Sequence, residues 1–307
     1  MKKFITIVGP TAVGKTDLTL ALAKYYNGQV ISGDAYQVYK QLNIGTAKPT
    51  TDELAAVPHH LINILEPDDD YSVSIFQQQA KSLIDQLNNN HVVPILSGGT
   101  GLYVQSLLEN YNFNDIKPNT KLRSELDELY AEYGVDGLRE YAQNLAEKGG
   151  IEIKYTDKHR LYRAIELMTA GDYESLIKQT KDGLSYKGPV IGLQRERSDL
   201  YDRINRRVDI MFEQGLVDEV KTLLDSGVNP QCQAFKGIGY KEVIQYLEGL
   251  ISYDACVDLI QKNTRHFAKR QITWYKRMPY IEWITIDKQT TSNEIFCKAR
   301  TIIEATL

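Results

Sequence analysis

The sequence predicts an α/β protein in which helices flank a mostly parallel β-sheet and an all-helical segment is inserted between two strands. Short apolar runs have the length and composition of strands that are buried on both faces. Helical patterns separate the first three runs, which is typical of βαβ units and a parallel sheet. The predicted strands are Phe4–Val8, Gln29–Ser32, Val92–Leu96, Val190–Leu193 and Ile281–Ile286.

The predicted domain organisation follows from a gap in this pattern. From about residue 115 to residue 186 no strand pattern occurs, although strand patterns lie on both sides. We therefore expect a core domain formed by residues 1–114 and 188–307, and a helical insertion domain formed by residues 115–187. Within the insertion, apolar residues at helical spacing predict three helices, which end near Gly134, at Gly149–Gly150 and at Gly171. The third is expected to begin after Thr156 or Asp157 as its cap.

The 307-residue chain has the composition of an ordinary globular protein, with 42% hydrophobic and 25% charged residues. No apolar run approaches the roughly 20 residues that a membrane-spanning helix needs. The apolar stretch near the N-terminus is short and leads directly into a glycine-rich turn, so it does not have the form of a signal peptide. We therefore expect a cytoplasmic protein that does not bind membranes.

The cysteines and histidines give no pattern of a structural metal site. The three cysteines are odd in number and widely spaced, which indicates reduced thiols. His59 and His60 are adjacent, so in an extended segment they would point to opposite faces, and we interpret them as loop or pocket-edge residues. The sequence therefore implies no metal other than a Mg²⁺ ion bound together with phosphate.

A glycine-rich turn, GPTAVGKT, connects the first predicted strand to the first helical pattern. It fits the pattern G-x-x-x-x-G-K-[ST], in which glycines let backbone N–H groups point inward and the following helix adds the positive end of its dipole. Lys15 is placed to neutralise phosphate oxygens, and the Thr16 hydroxyl to ligate Mg²⁺. These features predict a P-loop NTPase-like core. The predicted phosphate-binding residues are Gly9, Pro10, Thr11, Ala12, Val13, Gly14, Lys15 and Thr16.

Two further polar segments follow predicted strands and should lie at the same edge of the sheet as this turn. Asp34 follows QVIS, where its carboxylate either faces the phosphate site, caps a helix or pairs with Lys15. The segment SGGTGLY follows VVPIL, and its Thr100 either donates a hydrogen bond into the site or lies in a tight turn. No acidic residue follows VVPIL, which argues against an ATPase, because such enzymes hold Mg²⁺ through an acid at that point.

The C-terminal part of the sequence predicts helices over Ser198–Gly249 and one long helix over Tyr253–Tyr275. In the first of these segments, one amphipathic helix carries three arginines, which form either a solvated face or part of a site. They are Arg203, Arg206 and Arg207.

The long helix is strongly basic, although the net charge of the chain is −4. Between Leu259 and Ile281 there are six lysines and arginines and no acidic residue. A basic stretch on an acidic protein indicates one defined polyanion site, and a merely soluble surface is the alternative. Phe267, Ala268, Ile272 and Tyr275 are predicted to face inward, and Lys262, Arg265, Lys269 and Lys276 outward.

In combination these segments resemble the tRNA dimethylallyltransferases, the isopentenyl-diphosphate:tRNA transferases. The resemblance runs from Phe4 to about Trp283, and it is specific as a set, although the phosphate loop alone is not. The chain ends without the zinc-finger extension of eukaryotic relatives, so we expect a bacterial-type enzyme. The matching segments are GPTAVGKT, ISGDAYQVYKQLNIGTAKP, PHHL, SGGTGLYVQSLL, DKHRLYRAIE, FKGIGYKE and TRHFAKRQITWYKR.

The resemblance implies a reaction and roles for the residues at the sheet edge. In the family, the loop holds the diphosphate of dimethylallyl diphosphate, and the prenyl group passes to N6 of the adenosine immediately 3′ of the anticodon, with release of pyrophosphate. Asp34 would then act as the general base. Lys15, Thr16 with Mg²⁺, and Arg207 would stabilise the departing diphosphate. Thr100 resembles the active-site threonine of the family.

The resemblance also implies contacts with the tRNA anticodon stem-loop, whose target base must leave the stack to react. His159 stands where some relatives carry glutamine. We expect a monomer. The residues implied to bind tRNA are Asp34, Ala35, Tyr36, Gln37, Thr100, Arg123, His159, Arg160, Arg163, Lys236, Gly237, Gly239, Tyr240, Lys241, Arg265, Lys269, Arg270 and Thr273.

Two alternative functions remain open at this point. An enzyme that prenylates free AMP or ADP would share the fold, but it would need neither the helical insertion nor the basic helix. A nucleotide-gated RNA-binding protein without chemistry would bind ATP or GTP and form no product.

Overall fold

The computed structural model describes residues 3–113, 116, 119–177 and 184–307. Contacts between Cα atoms divide the chain into two compact units, one formed by residues 1–109 with 184–307 and the other by residues 110–183. The domain boundary predicted at residues 114 and 115 lies outside the described residues.

The first unit is built around a six-stranded sheet in the described part of the chain, with the strand order β3-β2-β4-β1-β5-β6. Every strand pairing is parallel, which confirms the predicted sheet. The five predicted strands form, with ends that differ by a few residues at most. The strands are β1 (Ile5–Val8), β2 (Gly28–Ser32), β3 (His59–His60), β4 (Val93–Gly98), β5 (Val190–Arg195) and β6 (Ile281–Ile286).

The helices of the described residues follow the predicted pattern closely. The predicted helix Tyr253–Tyr275 forms with the same bounds. The helices are α1 (Lys15–Tyr26), α2 (Thr51–Ala56), α3 (Val73–Asn89), α4 (Gly101–Leu108), α5 (Thr120–Lys148), α6 (Lys158–Thr169), α7 (Glu174–Ile177), α8 (Arg197–Glu213), α9 (Leu216–Asp225), α10 (Tyr240–Leu247), α11 (Tyr253–Tyr275) and α12 (Ser292–Thr306), with a 3₁₀ turn at Ala234–Lys236. Among the described residues, none of these helices combines the length and the apolar composition that crossing a membrane requires.

The sheet separates two apolar layers because its central strands are buried on both faces. Along β1, Ile5 and Ile7 face one layer, whereas Val8 and the preceding Phe4 face the other. Helix α11 contributes to both layers, with Ala268 in the first and Tyr275 in the second. The core therefore ties α11 firmly to the sheet.

The second unit contains only helices among its described residues. Gly134, with φ 64° and ψ −156°, interrupts α5 where the sequence predicted a helix end. The predicted end at Gly149 is also confirmed, and Asp157 caps α6 by accepting a hydrogen bond from the N–H of Arg160 at 3.1 Å. Leucines of α5 and α6 form the separate core of this unit.

One strand was missed by the sequence analysis. His59 and His60, predicted as loop or pocket-edge residues, form the edge strand β3, which pairs with Val30 and Ile31 of β2. A strand of two polar residues leaves no apolar run to detect. His59 also lines the cavity described below, so the pocket-edge prediction is confirmed for that residue.

Candidate functional site

The candidate site is a cavity of about 160 Å³ at the carboxyl edge of the sheet in the first unit. The ends of β1, β2 and β4 meet there, because these parallel strands are neighbours in the sheet. The three segments that the sequence placed at this edge do converge. The cavity is lined by the phosphate loop, Asp34, Gln37, Ser97–Gly99, Arg203, Arg207 and Gln271, among others.

The phosphate loop adopts a conformation that depends on its glycines. Gly9 and Gly14 have φ values of 150° and 109°, and a Cβ on Gly9 would lie 2.8 Å from the carbonyl oxygen of Leu193. Gly14 precedes α1 and offers no side-chain cap. The first N–H groups of α1 are thus left for a ligand, which is the arrangement of an anion site at a helix N-terminus.

Lys15 is the cation at the centre of the loop. Its Nζ donates hydrogen bonds to the carbonyl oxygens of Gly9 and Pro10, both at 2.9 Å. The pKa of Lys15 is lowered to about 7, mainly by burial and in addition by the charge of Arg207, while the carboxylate of Asp34 acts in the opposite direction. Part of the Lys15 population is therefore neutral near pH 7 until an anion enters the cavity.

Arginines from β5 and α8 hold the outer side of the loop. Arg203 Nε donates to the carbonyl oxygen of Ala12 at 2.9 Å, and Arg195 Nε donates to that of Val13 at 3.0 Å. Arg207 Nη1 lies 3.5 Å from Thr11 Oγ1. Arg203 and Arg207 line the cavity and Arg206 does not, so two of the three arginines belong to the site and the third to the solvated face.

Arg195 is one residue that sequence reasoning missed. It also forms an ion pair with Asp199 at 2.9 Å, and both side chains are nearly buried. A polar residue at the carboxyl end of a parallel strand was the signal that could have identified it.

Asp34 occupies a tight turn directly after β2. Its Oδ1 accepts hydrogen bonds from the N–H groups of Tyr36 at 2.8 Å and Gln37 at 3.3 Å, so the carboxylate stabilises this turn and not a helix N-terminus. Burial raises the pKa of Asp34, against the opposing effect of these hydrogen bonds and of the Lys15 charge. A carboxylate with a raised pKa is a stronger base than an exposed one.

The loop after β2 is joined to the loop after β4. The Thr100 hydroxyl accepts a hydrogen bond from the N–H of Ala35 at 3.1 Å. Gln37 accepts from Ser32 Oγ at 3.0 Å and donates to the carbonyl oxygen of Thr46 at 3.3 Å. Thr100 therefore lies beside the turn that carries Asp34.

Gln271 of α11 is the second residue that sequence reasoning missed. Its side chain is 4% exposed. Its Oε1 accepts a hydrogen bond from the N–H of Thr11 at 2.8 Å, and its Nε2 donates to the carbonyl oxygen of Gly99 at 2.8 Å. One glutamine from the C-terminal part of the chain thus connects the phosphate loop to the loop after β4.

The residues at the cavity fit a Mg²⁺ ion only in company with a phosphate ligand. Thr16 lines the cavity and can supply one hydroxyl oxygen. The described residues contain no group of three or more histidine, cysteine or acidic side chains placed to hold a metal. Mg²⁺ commonly binds with few protein ligands and takes the rest from phosphate oxygens and water, so this donor set is compatible with it.

The segment around Lys236–Lys241 positions a neighbouring loop. Tyr240 is 1% exposed, and its hydroxyl donates to Glu219 Oε1 at 2.7 Å. Glu219 also accepts from the backbone N–H groups of residues 43–45. Gly237 and Gly239 are buried as well, whereas Lys236 and Lys241 are exposed.

The basic side chains of α11 divide into two kinds. Lys269 and Arg270 are exposed, as is the neighbouring Thr273. Arg265 is half-buried, and its Nη1 donates to Asn205 Oδ1 of α8 at 2.6 Å. The first group is free to meet a ligand in solution, whereas Arg265 also joins α11 to α8.

In the second unit, Arg123 and Arg163 are held by one buried carboxylate. Glu166 is 3% exposed and accepts from Arg123 Nε at 2.7 Å and Arg163 Nη1 at 3.2 Å. These hydrogen bonds lower the pKa of Glu166 although burial opposes them. His159 and Arg160 are exposed on the same helix.

Binding of inorganic pyrophosphate is expected to take up a proton at pH 8 and not at pH 6. With a pKa of about 7, roughly nine in ten Lys15 side chains are neutral at pH 8, and a bound anion favours the charged form. At pH 6 Lys15 is already protonated. Calorimetry in buffers of different ionisation enthalpy measures the uptake, and Lys15→Met corrects for the protons of pyrophosphate itself. Equal uptake by the two proteins at pH 8 would contradict the lowered pKa.

Comparisons with known proteins agree on one family. A family model described as IPP transferase matches residues 37–278, and a model described as isopentenyl transferase matches residues 2–66. A tRNA dimethylallyltransferase of Alkaliphilus metalliredigens is 42% identical over 299 residues, which cover 96% of this chain and 95% of that protein. One from Carboxydothermus hydrogenoformans is 43% identical, with 94% of each chain covered.

Two solved structures are similar over nearly the whole chain. The full-length tRNA isopentenylpyrophosphate transferase of Bacillus halodurans is 40% identical with a TM-score of 0.74, covering 98% of this chain and 96% of that one. A eukaryotic dimethylallyltransferase acting on tRNA is 26% identical with a TM-score of 0.80, covering 98% and 78%.

Proposed function

Because this chain belongs to the tRNA dimethylallyltransferase family, we propose that its cavity binds the diphosphate of dimethylallyl diphosphate and that the prenyl group passes to N6 of the adenosine immediately 3′ of the anticodon. The chain is thus a prenyltransferase that modifies tRNA, with a P-loop NTPase-like fold. The observation that supports the proposed site most directly is the meeting of Asp34 and the phosphate loop at one cavity.

The phosphate loop binds the leaving group. Lys15 and Arg207 line the cavity and supply positive charge, and the N-terminus of α1 supplies backbone donors. Charge develops on the diphosphate as the bond from its bridging oxygen to the prenyl carbon breaks, and fixed cations stabilise that charge in a largely buried site. Thr16 would hold Mg²⁺ together with the diphosphate, and the ion would neutralise further charge.

Asp34 accepts the proton that the reaction releases. The N6 lone pair is delocalised into the adenine ring, so the amine needs a base as the new carbon–nitrogen bond forms. Oδ1 of Asp34 is engaged by the turn, which leaves Oδ2 for the proton. The products are then the prenylated base, pyrophosphate and protonated Asp34. Thr100 holds the turn that carries this carboxylate.

Exposed basic residues are proposed to bind the tRNA backbone. On the core they are Lys236, Lys241, Lys269, Arg270 and, beside them, Thr273, and on the insertion His159 and Arg160. Three other residues that the resemblance implied to bind tRNA are buried or held in hydrogen bonds within the protein, and we propose that they support the tRNA-binding surface without contacting tRNA themselves. Tyr240 supports residues 43–45 through Glu219, and Arg123 and Arg163 are fixed by Glu166. Residues 1–114 with 188–307 are proposed as the catalytic core, and 115–187 as the tRNA-binding insertion.

A monomer in the cytoplasm suffices for this activity. The acceptor, tRNA, is a cytoplasmic substrate. A free-nucleotide prenyltransferase would not use the exposed cations of α11, which is why we favour tRNA as the acceptor.

Incubation with labelled dimethylallyl diphosphate tests this function. Label should pass to unmodified tRNA in buffer with Mg²⁺ and without nucleotides, and pyrophosphate should be released. Because no acidic residue follows β4 at Gly98, ATP is expected to be neither hydrolysed nor required. Transfer to AMP but not tRNA would instead indicate the free-nucleotide enzyme. ATP binding without any product would indicate the RNA-binding protein.

Replacing the exposed cations of α11 is expected to weaken tRNA binding selectively. The double variant Lys269→Ala/Arg270→Ala should lower the slope of log K against log salt by about one unit for each lost phosphate contact. Affinity for dimethylallyl diphosphate should be unchanged. Arg265→Ala is predicted to lower both tRNA affinity and thermal stability, because its guanidinium also binds Asn205. Titrations at several salt concentrations measure these effects.

Lys24→Ala/Lys298→Ala is a charge-matched control. Both lysines are exposed, and they lie on α1 and α12. If the control lowered the salt slope as much as the α11 variant does, the proposed contact at α11 would be wrong.

A further inference from the structure

Gln271 is a buried polar residue whose two hydrogen bonds both end on loops of the active site. At 4% exposure it lies in the inward face of α11, between Ala268 and Tyr275. Burying a glutamine is costly unless its amide is paired. Both ends of this amide are paired, with the N–H of Thr11 and the carbonyl oxygen of Gly99 at 2.8 Å each.

The hydrogen bonds of Gln271 continue into the catalytic turn. Gly99 is followed by Thr100, whose hydroxyl accepts from the N–H of Ala35. Ala35 in turn follows Asp34. The path from the diphosphate loop to the proposed base therefore runs through one side chain, one short loop and one hydroxyl. The N–H of Thr11 donates to Gln271, so this hydrogen bond fixes the position of the phosphate loop.

We propose that Gln271 is a positioning residue that fixes the distance between the phosphate loop and the loop carrying Thr100, and so aligns the diphosphate with the base during transfer. The inference deepens the function proposed above and rests on it for the identity of the reaction. The expected effect on the transfer rate is large, because misplacement of a reacting group by about 1 Å can lower a rate by about 10²-fold.

The space around Gly99 supports a close fit with Gln271. A Cβ added to Gly99 would lie 2.6 Å from Gln271 Nε2, well inside van der Waals contact. The amide cannot easily swing away, because its oxygen is bound to the phosphate loop. Position 99 therefore requires glycine for as long as Gln271 connects the loops.

The first test compares Gln271→Leu with a matched control, Gln77→Leu. Gln77 is similarly buried, at 5% exposure, and donates to the carbonyl oxygen of Ser106 at 2.7 Å, outside the cavity lining. Both variants should lose stability by the removal of a buried hydrogen bond. Only Gln271→Leu should lower kcat per folded molecule, by about 10–10²-fold, with little change in KM for tRNA. Only that variant should also weaken binding of inorganic pyrophosphate.

The second test uses pH. In Gln271→Glu an ionised carboxylate still accepts from Thr11 but repels the carbonyl oxygen of Gly99, whereas the protonated acid restores both hydrogen bonds. The ratio of the variant rate to the wild-type rate should therefore rise as the pH falls. Taking the ratio removes the pH dependence of Asp34, which both proteins share. A structural role alone would give a flat ratio.

A double-mutant cycle provides a third measurement. Gly99→Ala and Gln271→Ala each break the same connection between the two loops, so the transfer rate of the double variant should be no lower than that of the slower single variant. If the two sites acted independently, the double variant would instead show the product of the two rate reductions. Additive losses would count against the connection.

The outcomes separate this inference from the proposed function. If the wild-type protein transfers no prenyl group, the function is wrong, and pyrophosphate binding still reports on the loop. If the wild type is active and Gln271→Leu matches Gln77→Leu in kcat and pyrophosphate affinity, with a flat pH ratio, Gln271 is an ordinary core residue and the inference is overturned.

Discussion

Asp34→Asn is expected to lower the rate of dimethylallyl transfer by about 10²–10⁴-fold, the usual contribution of a general base. The substitution removes the basic group and leaves the shape of the side chain nearly unchanged. Asparagine keeps an Oδ1 that can accept from the N–H groups of Tyr36 and Gln37, so the turn should persist, but it cannot take the N6 proton. Binding of tRNA and of dimethylallyl diphosphate should be retained. Single-turnover reactions with enzyme in excess of tRNA measure the rate of the chemical step.

Asp287→Asn is the matched control for this experiment. Asp287 Oδ1 accepts from the N–H groups of Gln289 and Thr290 at 2.9 and 2.7 Å, the same kind of turn on an exposed loop that does not line the cavity. The Asp287→Asn variant should transfer the dimethylallyl group at the wild-type rate. The wild-type rate should also rise with pH as Asp34 loses its proton, through a pKa that burial raises, and the Asp34→Asn rate should lack that rise. A near-normal rate for Asp34→Asn would remove this residue from the role of base.

Lys15→Met should lower the transfer rate by about 10²–10³-fold, the range seen when one preorganised donor to a developing anion is lost. Methionine has a similar length but no charge, so the effect reports on the stabilisation of the departing diphosphate. Affinity for pyrophosphate should fall together with the rate, because the product carries the same charge that the transition state develops. Pre-steady-state transfer and calorimetry measure the two quantities.

Lys24→Met removes an exposed lysine from the last turn of the same helix and serves as the control. It should alter neither quantity. An active Lys15→Met protein with weak pyrophosphate binding would show that the lysine binds product without assisting the reaction.

The parts of the fold that the sequence predicted are those determined by neighbouring residues. The strands could be recognised because doubly buried strands are continuous apolar runs. The segment GPTAVGKT could be recognised because its glycines and lysine lie within eight consecutive residues. The strand His59–His60 could not, because it depends on pairing with β2 and has no pattern of its own.

The parts of the site that were missed depend on distant residues. Gln271 stands at a core position of α11, three residues after Ala268 and four before Tyr275, and a glutamine in such a stripe was a usable signal. Its partners on two other loops could not be read from that spacing. Likewise, the spacing of Arg203, Arg206 and Arg207 on α8 does not reveal which of them face the phosphate loop, because that depends on how α8 packs on the sheet.

The connection made by Gln271 also sets a constraint on biosynthesis. Thr11 and Gln271 are 260 residues apart in the chain, so the phosphate loop is synthesised well before its partner. At about 5–20 residues per second, the interval is on the order of 10–50 seconds. During that time Thr11 lacks its partner, and a nascent chain cannot present a finished diphosphate site. The site can therefore bind substrate only after α11 has been synthesised and packed. Translation products that end before α11 should not bind the prenyl donor.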